Sequence, residues 1–165
     1  MAVQEKITIY GAKLCFRNFS GKPSEYNAEG DRNACIILND EQAEELAQAG
    51  WPVKVRPPRE DHEDEGNFNF MKFKVKYGAN PNLHPKIYRI VNGKQVLMTE
   101  RTLGALDYDV IENVDVRLRP FNYKPGKCSA YVDTMYVTVE DDPLAAKYAT
   151  EPVADFIDSD ESPFT

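Results

Sequence analysis

Hydrophobic and polar residues alternate with a period of two through most of the first 140 positions. Such alternation is typical of β-strands that bury one face. It predicts strands over residues 6–19, 33–38, 51–56, 68–77, 86–91, 95–98, 111–123 and 128–139. One helix is predicted over 41–49, with Asn39 or Asp40 as its cap and Gly50 at its end. Asn92-Gly93 and residues 124–127 predict hairpin turns.

These elements predict a mostly antiparallel β-domain with one short helix between early strands. The number of strands favours a closed or partly closed barrel, or a sandwich, and the helix does not choose between them. The periodicity ends after Glu140, where acidic residues, Pro, Ser and Ala predominate. The chain is therefore expected to divide into a β-domain over residues 1–140 and a mostly disordered acidic tail over 141–165.

Charge changes this picture because it is unevenly distributed. The 165 residues carry a net charge of -7, and residues 140–165 alone contain eight acidic side chains against one lysine. The rest of the chain is therefore neutral overall, and the acidic total does not exclude a nucleic-acid partner. The three cysteines are widely spaced, which fits a reducing cytoplasm, and neither a secretory signal nor an apolar run of about 18–20 residues is present.

The strand predicted over residues 68–77 has two chemically different faces, because successive side chains point to opposite sides. The face expected to enter the core carries Asn69, Met71, Phe73, Val75 and Tyr77. The face expected to be exposed carries Phe68, Phe70, Lys72, Lys74 and Lys76. Lysines on an edge strand often serve only to block pairing with another sheet. Aromatic rings beside a row of cations instead suit single-stranded nucleic acid, whose bases stack and whose phosphates pair with ammonium groups.

The strand predicted over residues 111–123 repeats this composition. Its presumed exposed face carries Asp115, Arg117, Arg119, Phe121 and Tyr123. The plain alternative is that the arginines pair with Asp115 or Asp133 on an ordinary solvated sheet. Two strands with the same arrangement favour a binding face, with Phe68, Phe70, Phe121 and Tyr123 stacking on bases and Lys72, Lys74, Lys76, Arg117 and Arg119 holding phosphates.

Three other aromatic positions are weaker candidates. Tyr88 is flanked by Lys86 and Ile90 on its strand face and is a possible stacking residue. Tyr131 and Tyr136 are five positions apart, so a regular strand would place them on opposite faces and expose at most one of them. Lys13 and Arg17 are expected to extend the basic surface from the first strand.

Motifs for catalysis are missing from the sequence, which predicts a protein that is not an enzyme and has no cofactor. It contains no phosphate-cradling glycine loop and no H-E-x-x-H zinc motif. The acidic residues within 60–65 are consecutive and lack the spacing of a calcium loop, so we interpret them as a solvated acidic loop.

The end of the tail combines acidic residues with an aromatic side chain. Asp158, Asp160 and Glu161 precede Pro163 and Phe164. The common function of an acidic tail is to keep a protein soluble. An aromatic residue behind carboxylates can also fill an apolar pocket ringed by basic groups on a partner. The same tail is expected to compete with nucleic acid for the basic surface of its own chain.

A β-rich body with aromatic and lysine strands, followed by an acidic tail ending in ESPFT, resembles phage and bacterial single-stranded DNA-binding proteins. The resemblance implies an OB-fold-like antiparallel β-barrel that coats single-stranded DNA during replication or recombination. It also implies that the tail recruits replication proteins, in the host cytoplasm if the protein is phage-encoded, with a homo-oligomer as one possible state. This sequence departs from the pattern because Thr165 follows Phe164.

Two other functions remain open at the level of the sequence. A structural protein of a virion would use the aromatic strands as a subunit interface and would not bind single strands in a salt-dependent way. An RNA-binding module would carry the same aromatic and basic residues and would discriminate through the 2′-hydroxyl.

Overall fold

The computed structural model of the protein describes residues 5–25, 27–58, 60–61 and 66–140. In these residues the chain forms nine strands, one α-helix and two 3-10 turns. The strands are β1 Ile7–Ile9, β2 Lys13–Asn18, β3 Arg32–Leu38, β4 Val53–Arg56, β5 Phe68–Val75, β6 Lys86–Val91, β7 Lys94–Leu97, β8 Ile111–Lys124 and β9 Lys127–Val139. The helix, α1, is Asp40–Gln48, and the 3-10 turns are Pro81–Leu83 and Leu103–Asp107.

All nine strands belong to one sheet, whose main path runs β1-β8-β9-β5-β3-β2. Strand β4 pairs with β5, and β7 pairs with β6. Most pairings are antiparallel, as predicted, but β9 also pairs in parallel with β5 near its start and with β6 further along. The prediction of a mostly β, OB-fold-like domain with one helix is confirmed, while the sheet itself is not closed.

The segment predicted as one strand over 6–19 is divided by a kink. Gly11 has a left-handed φ of 64°, which few other residues adopt without strain, and its amide donates to the Asp115 carboxylate. The amide of Ala12 still bonds to β8 through the Val114 carbonyl, after which β2 pairs with β3. A single stretch of chain therefore supplies both end strands of the sheet path.

The core lies between the inner faces of the strands. Met71, Phe73 and Val75 of β5 point into it, as the alternation predicts. The inner faces of β8 and β9 contribute the largest share of the remaining buried aliphatic side chains: Val114, Val116, Leu118, Val132, Met135 and Val137. At about 25 cal/mol per Å² of apolar surface, these faces dominate the free energy of folding.

Helix α1 begins and ends as its sequence predicts. The Asn39 side chain accepts from the Gln42 amide, and the Gln42 side chain accepts from the Asn39 amide, which completes a capping box. Trp51 is buried just after the helix, where its amide donates to the Leu46 carbonyl. The helix thus covers one end of the sheet beside β4. No helix in the described part of the chain is long and apolar enough to cross a membrane.

Strand β2 and the two residues after it are fixed to the region of the second 3-10 turn by two partly buried polar networks. The Asp107 carboxylate accepts from the amides of Phe19 and Ser20, at 2.6 and 3.1 Å. The Arg17 guanidinium donates to the carbonyls of Leu106 and Asp109. Arg17 is therefore a structural residue, and the expectation that it extends a basic surface is wrong. Lys13 on the same strand is exposed.

Candidate nucleic-acid interface

The side chains of strand β5 point alternately to the two sides of the sheet, as predicted, and only Phe70 differs from its predicted exposure. Lys74 and Lys76 are exposed, Phe68 and Lys72 are half-buried, and all four point away from the core. The surface that they share with the same side of β3, β8 and β9 is called the outer face below. Pairing in a sheet places the side chains of partner residues on one side, so the register identifies their neighbours.

The register brings the two predicted rows together on this outer face. Lys74 of β5 is paired with Tyr131 of β9, and Tyr131 is paired with Arg119 of β8. The side chains are also in contact, because the Arg119 guanidinium lies 5.3 Å from the centre of the Tyr131 ring. A cation of each predicted strand therefore flanks the same aromatic ring.

Two shallow depressions mark where the rows meet. The first is lined by Lys76, which directly follows β5, and by Arg119, Phe121 and Tyr131, with Leu83 of the first 3-10 turn at its edge. The second is nearer the turn between β8 and β9 and is lined by Lys54, Lys72, Lys74 and Tyr123, with Cys128 and Ser129. Each depression thus combines at least one lysine, on β5 or directly after it, with an aromatic residue of β8.

The aromatic pair of β8 lies beside the turn of the hairpin that β8 forms with β9. Phe121 and Tyr123 stack with their ring centres 6.5 Å apart and remain 48% and 51% exposed. Phe121 also makes an edge contact with Tyr131, at 5.7 Å between ring centres. Three rings are therefore held in fixed orientations, and much of the surface of Phe121 and Tyr123 is open to solvent.

Phe70 is the exception on β5, because it is on the predicted side but only 8% exposed. Phe16 lies against it at 5.9 Å between ring centres, and the Arg56 guanidinium lies 5.3 Å from its ring. The expectation of an exposed ring at this position is wrong. Phe70 instead supports Phe68, whose ring centre is 5.3 Å away.

Arg117 is exposed, but part of its charge is already paired. Its guanidinium lies 3.8 Å from the Asp133 carboxylate, to which Lys6 donates at 3.0 Å. Burial tends to raise the pKa of Asp133, yet the hydrogen bond and charge of Lys6, with Thr134 and Arg117, hold this pKa below its ordinary value. The alternative of a surface ion pair therefore holds for Arg117. Arg119, by contrast, has its guanidinium over the Tyr131 ring.

Tyr131 and Tyr136 both lie on the outer face, contrary to the prediction from regular alternation. The pairing with β8 shifts at Asp133, since Arg117 is opposite Thr134 while Leu118 is opposite Val132. This bulge adds one residue to β9 and returns Tyr136 to the side of Tyr131. Tyr88 stacks on Tyr136 with ring centres 4.8 Å apart, so the candidate at Tyr88 packs against another protein ring.

Phe16 is an aromatic residue of the outer face that the alternation did not predict. It has a left-handed φ of 51°, it is 58% exposed, and the pairing of β2 with β3 is irregular around it. Its ring makes an edge contact with Phe68 at 6.3 Å. Positive φ in a bulky residue signals a local constraint, which here turns the ring onto β5. No residue-type signal in the sequence marks this bulge.

Several predicted positions lie outside the described residues. These are the tail residues Asp158, Asp160, Glu161, Pro163 and Phe164, and residues 62–65 of the acidic loop. Within the residues that the structure does describe, no group of three or more His, Cys, Asp or Glu side chains is arranged to hold a metal ion.

The backbone at Phe16 generates a stability prediction. Phe16→Ala removes the ring and keeps the left-handed strain, whereas Phe16→Gly removes both. We expect the glycine variant to have the larger free energy of unfolding, by about 1 kcal/mol, because glycine adopts positive φ at little cost. Urea unfolding of the two variants measures the difference. A less stable glycine variant would contradict the strained conformation.

Comparison with known proteins gives a family and a fold. The model of the phage ssDNA-binding domain family matches residues 1–163. The single-stranded DNA-binding protein from bacteriophage Enc34, in complex with ssDNA, is 10% identical with a TM-score of 0.50, over 83% of this chain and 88% of that chain. At this identity the likeness shows the fold alone.

Two further structures have lower TM-scores. A C-terminal truncation of the Enc34 protein is 9% identical over 83% of this chain and 87% of its own, with a TM-score of 0.48. The single-stranded DNA-binding protein gp2.5 of bacteriophage T7 is 8% identical over 95% of this chain and all of its own, with a TM-score of 0.41. No curated protein matches the chain. From the match over residues 1–163, the chain belongs to the phage ssDNA-binding domain family.

Proposed function

We propose that this member of the phage ssDNA-binding family coats single-stranded DNA, without base preference, during phage DNA replication and recombination. The observation that carries the proposal is the row Arg119, Tyr131 and Lys74 on the outer face, where a stacking ring lies between two cations. The family match favours this function over the structural virion protein that the sequence left open.

Bases would stack on the open rings and phosphates would pair with the cations around them. Phe68, Phe121 and Tyr123 keep their proposed stacking role, joined by Tyr131 and Phe16, while Phe70 would act mainly by supporting Phe16 and Phe68. Lys72, Lys74, Lys76 and Arg119 would hold phosphates, and Arg117 would contribute only as far as Asp133 leaves it free. Stacking tolerates every base, because each base has a π-face.

Binding of this kind needs no chemical step, and we infer that the protein acts as a stoichiometric coat rather than as an enzyme. The row of cations explains the affinity for a phosphate backbone, since each contact releases counterions from the nucleic acid. The rings confer the preference for single strands, because only unpaired bases are free to stack on them.

The acidic tail over residues 141–165 would be a separate functional segment from the body over 1–140. Its acidic side chains are complementary to the cations of the outer face, so it would compete with DNA there. With the body occupied by DNA, the tail would be released, and Asp158, Asp160, Glu161, Pro163 and Phe164 would bind replication proteins. A basic-rimmed apolar pocket is the kind of partner site that fits this segment.

The stacking role is tested with two aromatic substitutions on the outer face. Phe121→Ala and Tyr131→Ala should each weaken binding to oligo(dT) by roughly 1–3 kcal/mol, or about 5- to 150-fold, because each removes one stacking surface. Fluorescence anisotropy at fixed salt measures the affinity. Tyr10→Ala is the matched control, because Tyr10 is 78% exposed and shares a depression with Gln42, Glu45 and Leu46 of α1, none of which is a proposed DNA contact. Wild-type affinity in both outer-face variants would contradict the site.

The phosphate contacts are tested through salt dependence. Lys74→Ala should lower the slope of log affinity against log salt by roughly one unit, because one fewer phosphate is neutralised. Lys94→Ala, at the tip of the β6–β7 hairpin, is the control and should leave the slope unchanged. Equal slopes for the wild type and Lys74→Ala would exclude a phosphate contact at Lys74.

The masking role of the tail is tested by ending the chain after Glu140. The truncated protein should bind oligo(dT) severalfold more tightly than the full chain at low salt, and the difference should vanish at high salt as the charges are screened. Equal affinities at low salt would exclude masking.

Recruitment is tested separately with Phe164→Ala in the full chain, which should lose replication partners in a pull-down while keeping its DNA affinity.

A further inference from the structure

Cys15 of β2 and Cys35 of β3 are direct partners in an antiparallel pairing. Cys35 is in turn paired with Lys72 of β5, which places both thiols on the side of the proposed DNA-binding surface. Both are free thiols; Cys15 is half-buried and Cys35 is buried. The adjacent pair, Leu14 before Cys15 and Ile36 after Cys35, belongs to the opposite, inner side.

The backbone geometry of this pair permits a covalent link. Directly opposite residues in an antiparallel pair have Cα atoms about 4.5 or 5.5 Å apart, depending on their hydrogen bonding. Both values fall within the roughly 4.4–6.8 Å that disulfides span. The third cysteine differs, because Cys128 is paired with Asn122 on β8 and its thiol donates to the Ser129 carbonyl.

The surroundings of the two thiols keep them protonated at neutral pH. Burial raises the pKa of Cys35 to about 11, and the nearby Cys15 adds to this, against the opposing charges of Lys72, Lys54 and Arg56. Burial also raises the pKa of Cys15, with Arg56 lowering it in part. Since the thiolate is the nucleophile, the pair should react slowly at pH 7 and faster as the pH rises.

We propose that Cys15 and Cys35 form a dithiol modification site, which a low-molecular-weight disulfide converts into an intramolecular disulfide and which bound single-stranded DNA shields. The first part stands on the β2–β3 register alone, and the shielding rests on the proposed function. The half-buried Cys15 is the group that an external reagent reaches first, and the buried Cys35 is the resolving thiol.

The chemistry consists of two balanced exchange steps. The Cys15 thiolate attacks one sulfur of the small disulfide, whose S–S bond breaks, and one small thiolate leaves. The Cys35 thiolate then attacks Sγ of Cys15 in the mixed disulfide and displaces the second small thiolate. The two protein thiols lose two protons and two electrons, and the small disulfide is reduced to two thiols.

The position of the pair explains why DNA would shield it. The pairing row of Cys15, Cys35 and Lys72 lies between two rows with candidate DNA contacts. The row on one side includes Phe70, which supports Phe16 and Phe68, and the row on the other side includes Lys74. A strand that stacks at the first row and pairs its phosphates at the second would cross the row of Cys15, Cys35 and Lys72.

The first experiment treats the full chain with oxidised glutathione at pH 7 and pH 9, followed by alkylation and peptide mass spectrometry. The expected product is a Cys15–Cys35 cross-linked peptide that forms faster at pH 9. Cys128→Ser should give the same product, and Cys15→Ser should give none. A stable glutathione adduct at Cys15 without closure, or links to Cys128, would overturn the dithiol site. Cys35→Ala, with its fold checked by circular dichroism, should stop at the glutathione adduct of Cys15.

The second experiment repeats the pH 9 reaction with oligo(dT) at a free concentration ten times the Kd at that pH. If only free protein reacts, the rate of disulfide formation falls about tenfold. Double-stranded DNA that the protein does not bind should leave the rate unchanged. An unprotected disulfide in a protein that binds oligo(dT) would overturn the shielding and place the DNA elsewhere. No disulfide in a protein that binds oligo(dT) normally would overturn the dithiol site and leave the proposed function standing.

Discussion

The two-sided alternation of β5, β8 and β9 is the constraint on which the rest of the structure depends. Each strand must bury its apolar side, because that burial supplies most of the favourable free energy of folding. The other side of these strands lies outside the core and can therefore carry rings and cations. Core and candidate interface are therefore two faces of the same three strands, and neither can change register without the other.

Partner contacts within the outer face give it a fixed form before any ligand arrives. Aromatic rings pack against one another at both ends of the outer face. One group is Phe16, Phe68 and Phe70, and the other is Phe121, Tyr123 and Tyr131. Rings held in this way lose little conformational freedom when a base stacks on them. The entropy cost of fixing their side chains therefore offsets less of the favourable free energy of stacking. The lysines between the two groups keep the flexibility that suits a backbone of variable path.

Much of the fold could be predicted from the sequence, because the period of a strand, the cap of a helix and the turn of a hairpin each depend on residues that are neighbours in the chain. The helix at Asp40–Gln48 and the turn at Asn92 and Gly93 are cases where side-chain chemistry settles the backbone. What could not be predicted depends on tertiary pairing. The bulge at Asp133 moved Tyr136 to the outer face, and the irregularity at Phe16 covered Phe70, and both arise from register shifts that only the partner strands impose.

The kink at Gly11 has a consequence for how the molecule assembles during synthesis. Gly11 and its partner Asp115 are separated by 104 positions, so β1 has nothing to pair with until β8 has left the ribosome. Strands β2, β3 and β5 can meet much earlier, since their pairings are closer in sequence. Among the described strands, β1 is thus made before its partner β8 by about a hundred residues and docks among the last.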